Sequence, residues 1–189
     1  MALLAEEIVE EWLNRQGYFT IRGIRLGVNE IDLVAVKFRP GEPPICRHIE
    51  VQASMRPVSY ISKVPKAARK TGRAANSASR SQEELVDGVN EWVEGKFRAS
   101  KKRSLMESLW SGDWSSELVI NNVKSELEVE LIAEHGITIH RLPTIVRELQ
   151  TNDFPIKSAS GSDFIDLLQM GANTQQNTPY SSRASSSRR

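Results

Sequence analysis

The chain has 189 residues, a formal net charge of +1, 39% hydrophobic and 26% charged residues. That balance suits a soluble globular protein of one domain with a buried core. No run of about 18 apolar residues occurs, so no transmembrane helix is expected; the opening MALLAEEIVEEW is acidic and amphipathic, which does not suit a signal peptide. Cys46 is the single cysteine, which excludes an internal disulfide and a cysteine-based zinc cluster, and the expected compartment is the cytoplasm.

Residues 3–16 read as an amphipathic helix ended by Gly17. At about 100° per residue, Ile8, Val9, Trp12 and Leu13 gather on one face. Glu7 and Glu11 fall opposite, and Glu6 stands at the border of the apolar face, best placed to look inward. Strands are expected at 18–22, 29–36 and 46–53, with the turn RPGEPP before the third. Residues 60–75, basic and Ala-rich, and 81–94 read as helical, whereas GKFRASKKR reads as an exposed basic loop. A strand at 116–121, a helix at 124–135, a strand at 137–141 and a helix from Pro143 to about Gln150 follow. A short helix at 163–171 precedes a tail, 172–189, of disordered composition.

This order gives an α/β fold with a mixed β-sheet flanked by helices. The first three strands form an antiparallel meander and the later strand–helix–strand unit a parallel pair. The expected division is a domain over 1–150 with a helical, basic insertion at about 54–115, then a linker with the short helix over 151–171, then the tail.

Charge is unevenly spread. Glu6, Glu7, Glu10 and Glu11 crowd the first turns, while twelve Lys and Arg side chains fall within 56–103 against five acids. An acidic pocket beside a basic stretch suits a cation plus a polyanion, and solvated helix faces would give the same counts. On the second strand Glu30, Asp32, Val34 and Val36 share a face; on the third, His48, Glu50 and Gln52 do. If the two strands pair, Asp32 and Glu50 meet across a spacing of about 4.8 Å. Two carboxylates with the Val51 carbonyl, and Glu6 from the helix, make a reasonable set for Mg²⁺ or Mn²⁺ beside a phosphodiester.

The segments Glu6-x-x-Val9-x-x-x-Leu13-x-x-x-Gly17-Tyr18, Asn29-Glu30-Ile31-Asp32-Leu33-Val34-Ala35 and Ile49-Glu50-Val51-Gln52 resemble the PD-(D/E)XK, restriction-endonuclease-like nuclease superfamily. Their spacing is nearest to the Holliday-junction-resolvase-like and Mrr-like branches. The resemblance implies a metal-dependent endodeoxyribonuclease with Asp32 and Glu50 as metal ligands and Glu6 in support. It departs at Gln52, where the family has Lys; Gln can still orient a water by hydrogen bonding. Lys63 and Lys37 are candidates to supply the missing amine. Lys63, Lys66, Arg69, Lys70, Arg73, Lys101, Lys102 and Arg103 are candidates for phosphate contact on DNA. The other reading is a catalytically inactive nuclease-fold module for nucleic-acid binding or assembly. A homodimer and a protein partner for the tail are compatible with either.

Overall fold

The structure, a computed structural model, describes residues 2–54 and 56–156. Helix α1 (Ala2–Arg15) ends at Gly17, whose φ of 89° is a left-handed conformation that favours glycine. Strands β1 (Phe19–Leu26), β2 (Asn29–Lys37) and β3 (Ile45–Gln52) follow as an antiparallel meander. Three helices come next: α2 (Lys66–Lys70), α3 (Gln82–Lys96) and α4 (Ser100–Leu109). Then β4 (Trp114–Ile120), α5 (Glu126–Glu134), β5 (Ile137–Arg141) and α6 (Leu142–Thr151) follow. The sheet runs β1-β2-β3-β4-β5, with β3–β4 and β4–β5 parallel, so it is mixed, as the element order implies.

Alternation along the strands divides the core into two layers. Leu33, Ala35, Ile49, Val51 and Val119 pack with Val9, Trp12 and Leu13 of α1 and Ile145 and Leu149 of α6. Leu118, Ile120 and Ile137 pack with Val89 and Val93 of α3 and Val129 and Ile132 of α5. Asp32, His48, Glu50 and Gln52 have the opposite parity to Leu33, Ile49 and Val51, which directs them away from the α1–α6 layer.

Three local expectations need correction. The helix expected over 60–75 shrinks to the five residues of α2: Pro65 disfavours helix at residue 64, and Gly72 takes a φ of 94° just after it. The basic stretch expected as a loop enters α4, with Lys102 on its inner face. Glu11, expected on the solvent side of α1, is buried and accepts a 2.7 Å hydrogen bond from Arg15 Nε, so charge pairing along the helix offsets its burial. The expected helix at 163–171 and the tail lie outside the described residues. Among those described, no helix is long and apolar enough to cross a membrane.

Candidate functional site

The β2–β3 ladder runs from Lys37↔Ile45 to Leu33↔Ile49 and stops. The next positions in register are Asp32 and Glu50. There β3 continues with β4 alone, Glu50 opposite Leu118 and Gln52 opposite Ile120. The Val51 N–H donates to Asp32 Oδ2 at 2.7 Å, so an acidic side chain takes the place of a ladder bond where the strands part.

Glu50 is fully buried, and a buried carboxylate stays ionised only with charge partners. It has three. Lys102 Nζ donates to Oε1 at 2.5 Å, Lys96 Nζ donates to Oε2 at 2.8 Å, and His48 Nε2 lies 2.9 Å from Oε1. Burial works against the charge, but His48, Lys96 and Lys102 outweigh it and bring the Glu50 pKa down to about 2. Lys102 is itself 1% exposed and also donates to the Lys96 carbonyl at 2.8 Å. Lys96 is partly open to solvent, and Glu50, then Asp32 and Glu30, hold its pKa above the ordinary lysine value despite burial.

Asp32 behaves oppositely. Burial, and after it the Glu50 charge, push its pKa up to about 7, and the protonated carboxyl lies close enough to hydrogen-bond Glu50. The proton thus resides on Asp32, while Glu50 stays ionised between Lys96 and Lys102. A divalent cation held by the two carboxylates would displace that proton. Among the described residues no three His, Cys, Asp or Glu side chains form a metal-binding group, so further ligands would be water, backbone carbonyl or phosphate. Glu6 is partly buried, with no hydrogen bond or ion pair among the described residues. Its pKa is raised, first by burial and then by Glu30 and Glu50. It is thus within electrostatic reach of the pair without joining it in a group of three. Glu7 and Glu10, by contrast, are held by Arg22.

No family model matches the chain, and no curated protein does. Among solved structures it is similar to "Protein of Unknown Function AF1548", at 13% identity and a TM-score of 0.44, over 89% of this chain and 79% of that one.

Gln52 lines a cleft of about 380 Å³ together with Lys63, Lys66, Arg69, Trp92 and Lys96. Lys70 is exposed at the end of α2, and Lys101 and Arg103 are exposed on α4. Arg73 is paired with Glu84 through two 2.8 Å bonds. Lys102 is the exception among the basic candidates: buried on Glu50, its amine is not available to a phosphate in solvent. Lys37 is also spent elsewhere, on the Gln16 carbonyl at 2.6 Å and over the Tyr18 ring.

The reading of the sequence overlooked Lys96 and Lys102 as partners of Glu50, although a signal existed. At 100° per residue Lys96 falls about 20° from Val89, in line with the buried stripe of α3. Lys102 likewise precedes the buried Met106 by four residues. A lysine in line with an apolar stripe either carries its amine out to solvent or needs a buried acid. Also overlooked was Arg47, which pairs with Glu117 on the other face and stacks 5.1 Å from both Trp12 and Tyr18. His140 Nε2 lies 2.7 Å from the same Glu117.

Proposed function

We propose that this chain is a Mg²⁺- or Mn²⁺-dependent nuclease of restriction-endonuclease-like fold that hydrolyses phosphodiester bonds in DNA. The observation that carries the reading is the parting of β2 and β3 at Asp32 and Glu50, with the Lys96 amine 2.8 Å from Glu50. Two acids and an amine at one point match the chemistry that the PD-(D/E)XK pattern requires, with α3 supplying the amine that position 52 lacks.

In this mechanism Asp32, Glu50 and the Val51 carbonyl would hold the cation, with Glu6 in support. The cation supplies Lewis-acid polarisation of the phosphodiester and neutralises developing charge. Lys96 adds a second positive charge against the phosphoryl oxygens. Gln52 orients the attacking water by hydrogen bonding. That water adds to phosphorus, the bond to the leaving oxygen breaks, and the proton released by the water balances the one the leaving oxygen takes up. Lys102 and His48 keep Glu50 ionised and fixed; Lys63, Lys66, Arg69 and Lys70 contact flanking phosphates.

A second reading, a binding or assembly module without turnover, is favoured by Gln52 and by the two amines already on Glu50. Cleavage of plasmid, branched and single-stranded DNA with Mg²⁺ or Mn²⁺ separates the two. Asp32→Ala and Glu50→Ala are expected to abolish cleavage, and unchanged activity in both variants would sink the nuclease reading. Absence of cleavage together with no metal binding at millimolar concentration by calorimetry would favour the module.

A further inference from the structure

The cleft beside the acidic pair lies between α3 and the segment carrying α2, and its charge is unbalanced. Lys63, Lys66 and Arg69 line it, and among the described residues none of these side chains has a carboxylate partner. Other basic side chains nearby are committed: Arg73 to Glu84, and Arg80 to Ser62. The acid lining the cleft, Glu91, turns both oxygens to the Lys66 backbone N–H, at 2.9 and 3.1 Å, rather than to a lysine amine. Arg69 Nε is buried without an acceptor. A buried donor without a protein acceptor is costly unless water or a ligand oxygen satisfies it.

The walls are close-packed. A Cβ added at Gly88 would meet the Lys63 carbonyl at 2.6 Å, so glycine lets α3 approach the segment that carries the cations. The volume of about 380 Å³ is at the small end of ligand pockets, suited to a single nucleotide rather than a duplex. Lys63, Lys66 and Arg69 outnumber the lining carboxylate Glu91, and Lys96, whose partner Glu50 is shared with Lys102, adds to the excess of positive charge. An internal phosphodiester carries one negative charge, whereas a phosphate monoester carries about −1.5 to −2 near pH 7. The monoester matches.

We propose that this cleft binds a terminal phosphate monoester, at the end or nick of a nucleic-acid strand, alongside the Asp32–Glu50 site. Gln52 and Lys96 belong to both the cleft and the site, so a strand anchored by its terminal phosphate presents its neighbouring linkage to the acids. The strand-end assignment rests on the proposed nuclease reading; the phosphate pocket does not.

The test is fluorescence anisotropy in EDTA with a labelled short oligonucleotide carrying a 5′-phosphate, a 3′-phosphate or hydroxyls at both ends. A terminal phosphate is expected to tighten binding at least tenfold, and Lys63→Gln and Arg69→Gln each to erase the difference. Equal affinity for all three oligonucleotides overturns the proposal, as does a preference that survives both substitutions. Inorganic phosphate and a nucleoside monophosphate serve as competitors. If either binds as tightly as the phosphorylated oligonucleotide, the strand-end assignment is overturned. Phosphate preference without metal-dependent cleavage, in wild type as in Asp32→Ala, would refute the nuclease reading and leave the pocket standing. Cleavage without phosphate preference does the reverse.

Discussion

Lys102→Met is the most direct probe of how the site is held. Lys102 is 1% exposed, and its amine donates to Glu50 Oε1 at 2.5 Å and to the Lys96 carbonyl at 2.8 Å. Methionine keeps most of the packing volume and removes the charge. Glu50, fully buried, then keeps only His48 and Lys96. Removing one partner of a buried ion pair costs about 3–5 kcal/mol. The remaining partners place the expectation at the lower end, about 3 kcal/mol, or a fall in Tm of about 6–12 °C. Urea denaturation at pH 7, with Tm by circular dichroism, measures it. Glu50→Gln strands the same lysine and is expected to cost a similar amount. The double variant should cost less than the two together by at least about 1 kcal/mol, because each single change leaves an unpaired charge that the double does not. A loss under about 1 kcal/mol for Lys102→Met, or strict additivity in the cycle, would show that Lys102 does not hold Glu50.

Lys96→Met should act on activity rather than stability, since the Lys96 amine is partly solvated and its pair with Glu50 is screened. Cleavage should fall by about 100-fold or more, and Gln52→Lys in that background should restore part of it; no recovery would mean that position 52 cannot deliver the amine. Acid unfolding provides a separate check. Glu117 is held at a pKa of about 2 against an ordinary 4.5: burial opposes its charge, but the His140 and Arg47 hydrogen bonds outweigh it. Its stabilisation is therefore full above pH 4.5 and lost as pH falls from there toward 2, a contribution of about 3 kcal/mol. Glu117→Gln should flatten the acid limb between pH 4.5 and 2.5, and a limb of unchanged steepness would refute the assignment.

The strands and the mixed sheet were legible because alternation and short connections constrain them strongly. Asp32 and Glu50 were legible for the same reason: register and parity bring them to one place. What was not legible depends on contacts distant in sequence. The lysine partners of Glu50 stand 46 and 52 residues later, on helices whose placement periodicity alone does not give. GKFRASKKR is polar enough to read as a loop, yet Lys102 enters α4 because burying its stem and pairing its amine outweigh the cost of its charge. The helix expected over 60–75 failed for a local reason that was available, namely Pro65 and Gly72.

Gln52 can now be understood from its neighbours. Near pH 7 Glu50 carries one negative charge, and Asp32, with a pKa of about 7, about half of another. Lys96 and Lys102 bring two positive charges to Glu50 from α3 and α4. A lysine at position 52 would add a fourth amine to the cleft that Lys63, Lys66 and Lys96 already line, with like-charge repulsion that the lining acid Glu91 does not offset. Glutamine keeps the hydrogen-bonding capacity without the charge. The Lys96 amine and the neutral side chain at 52 thus form one arrangement, in which the positive charge comes from α3 rather than from the strand. Gln52→Lys alone should then destabilise the wild-type chain and be tolerated once Lys96 is neutral, an interaction that a surface glutamine unrelated to the site would not show.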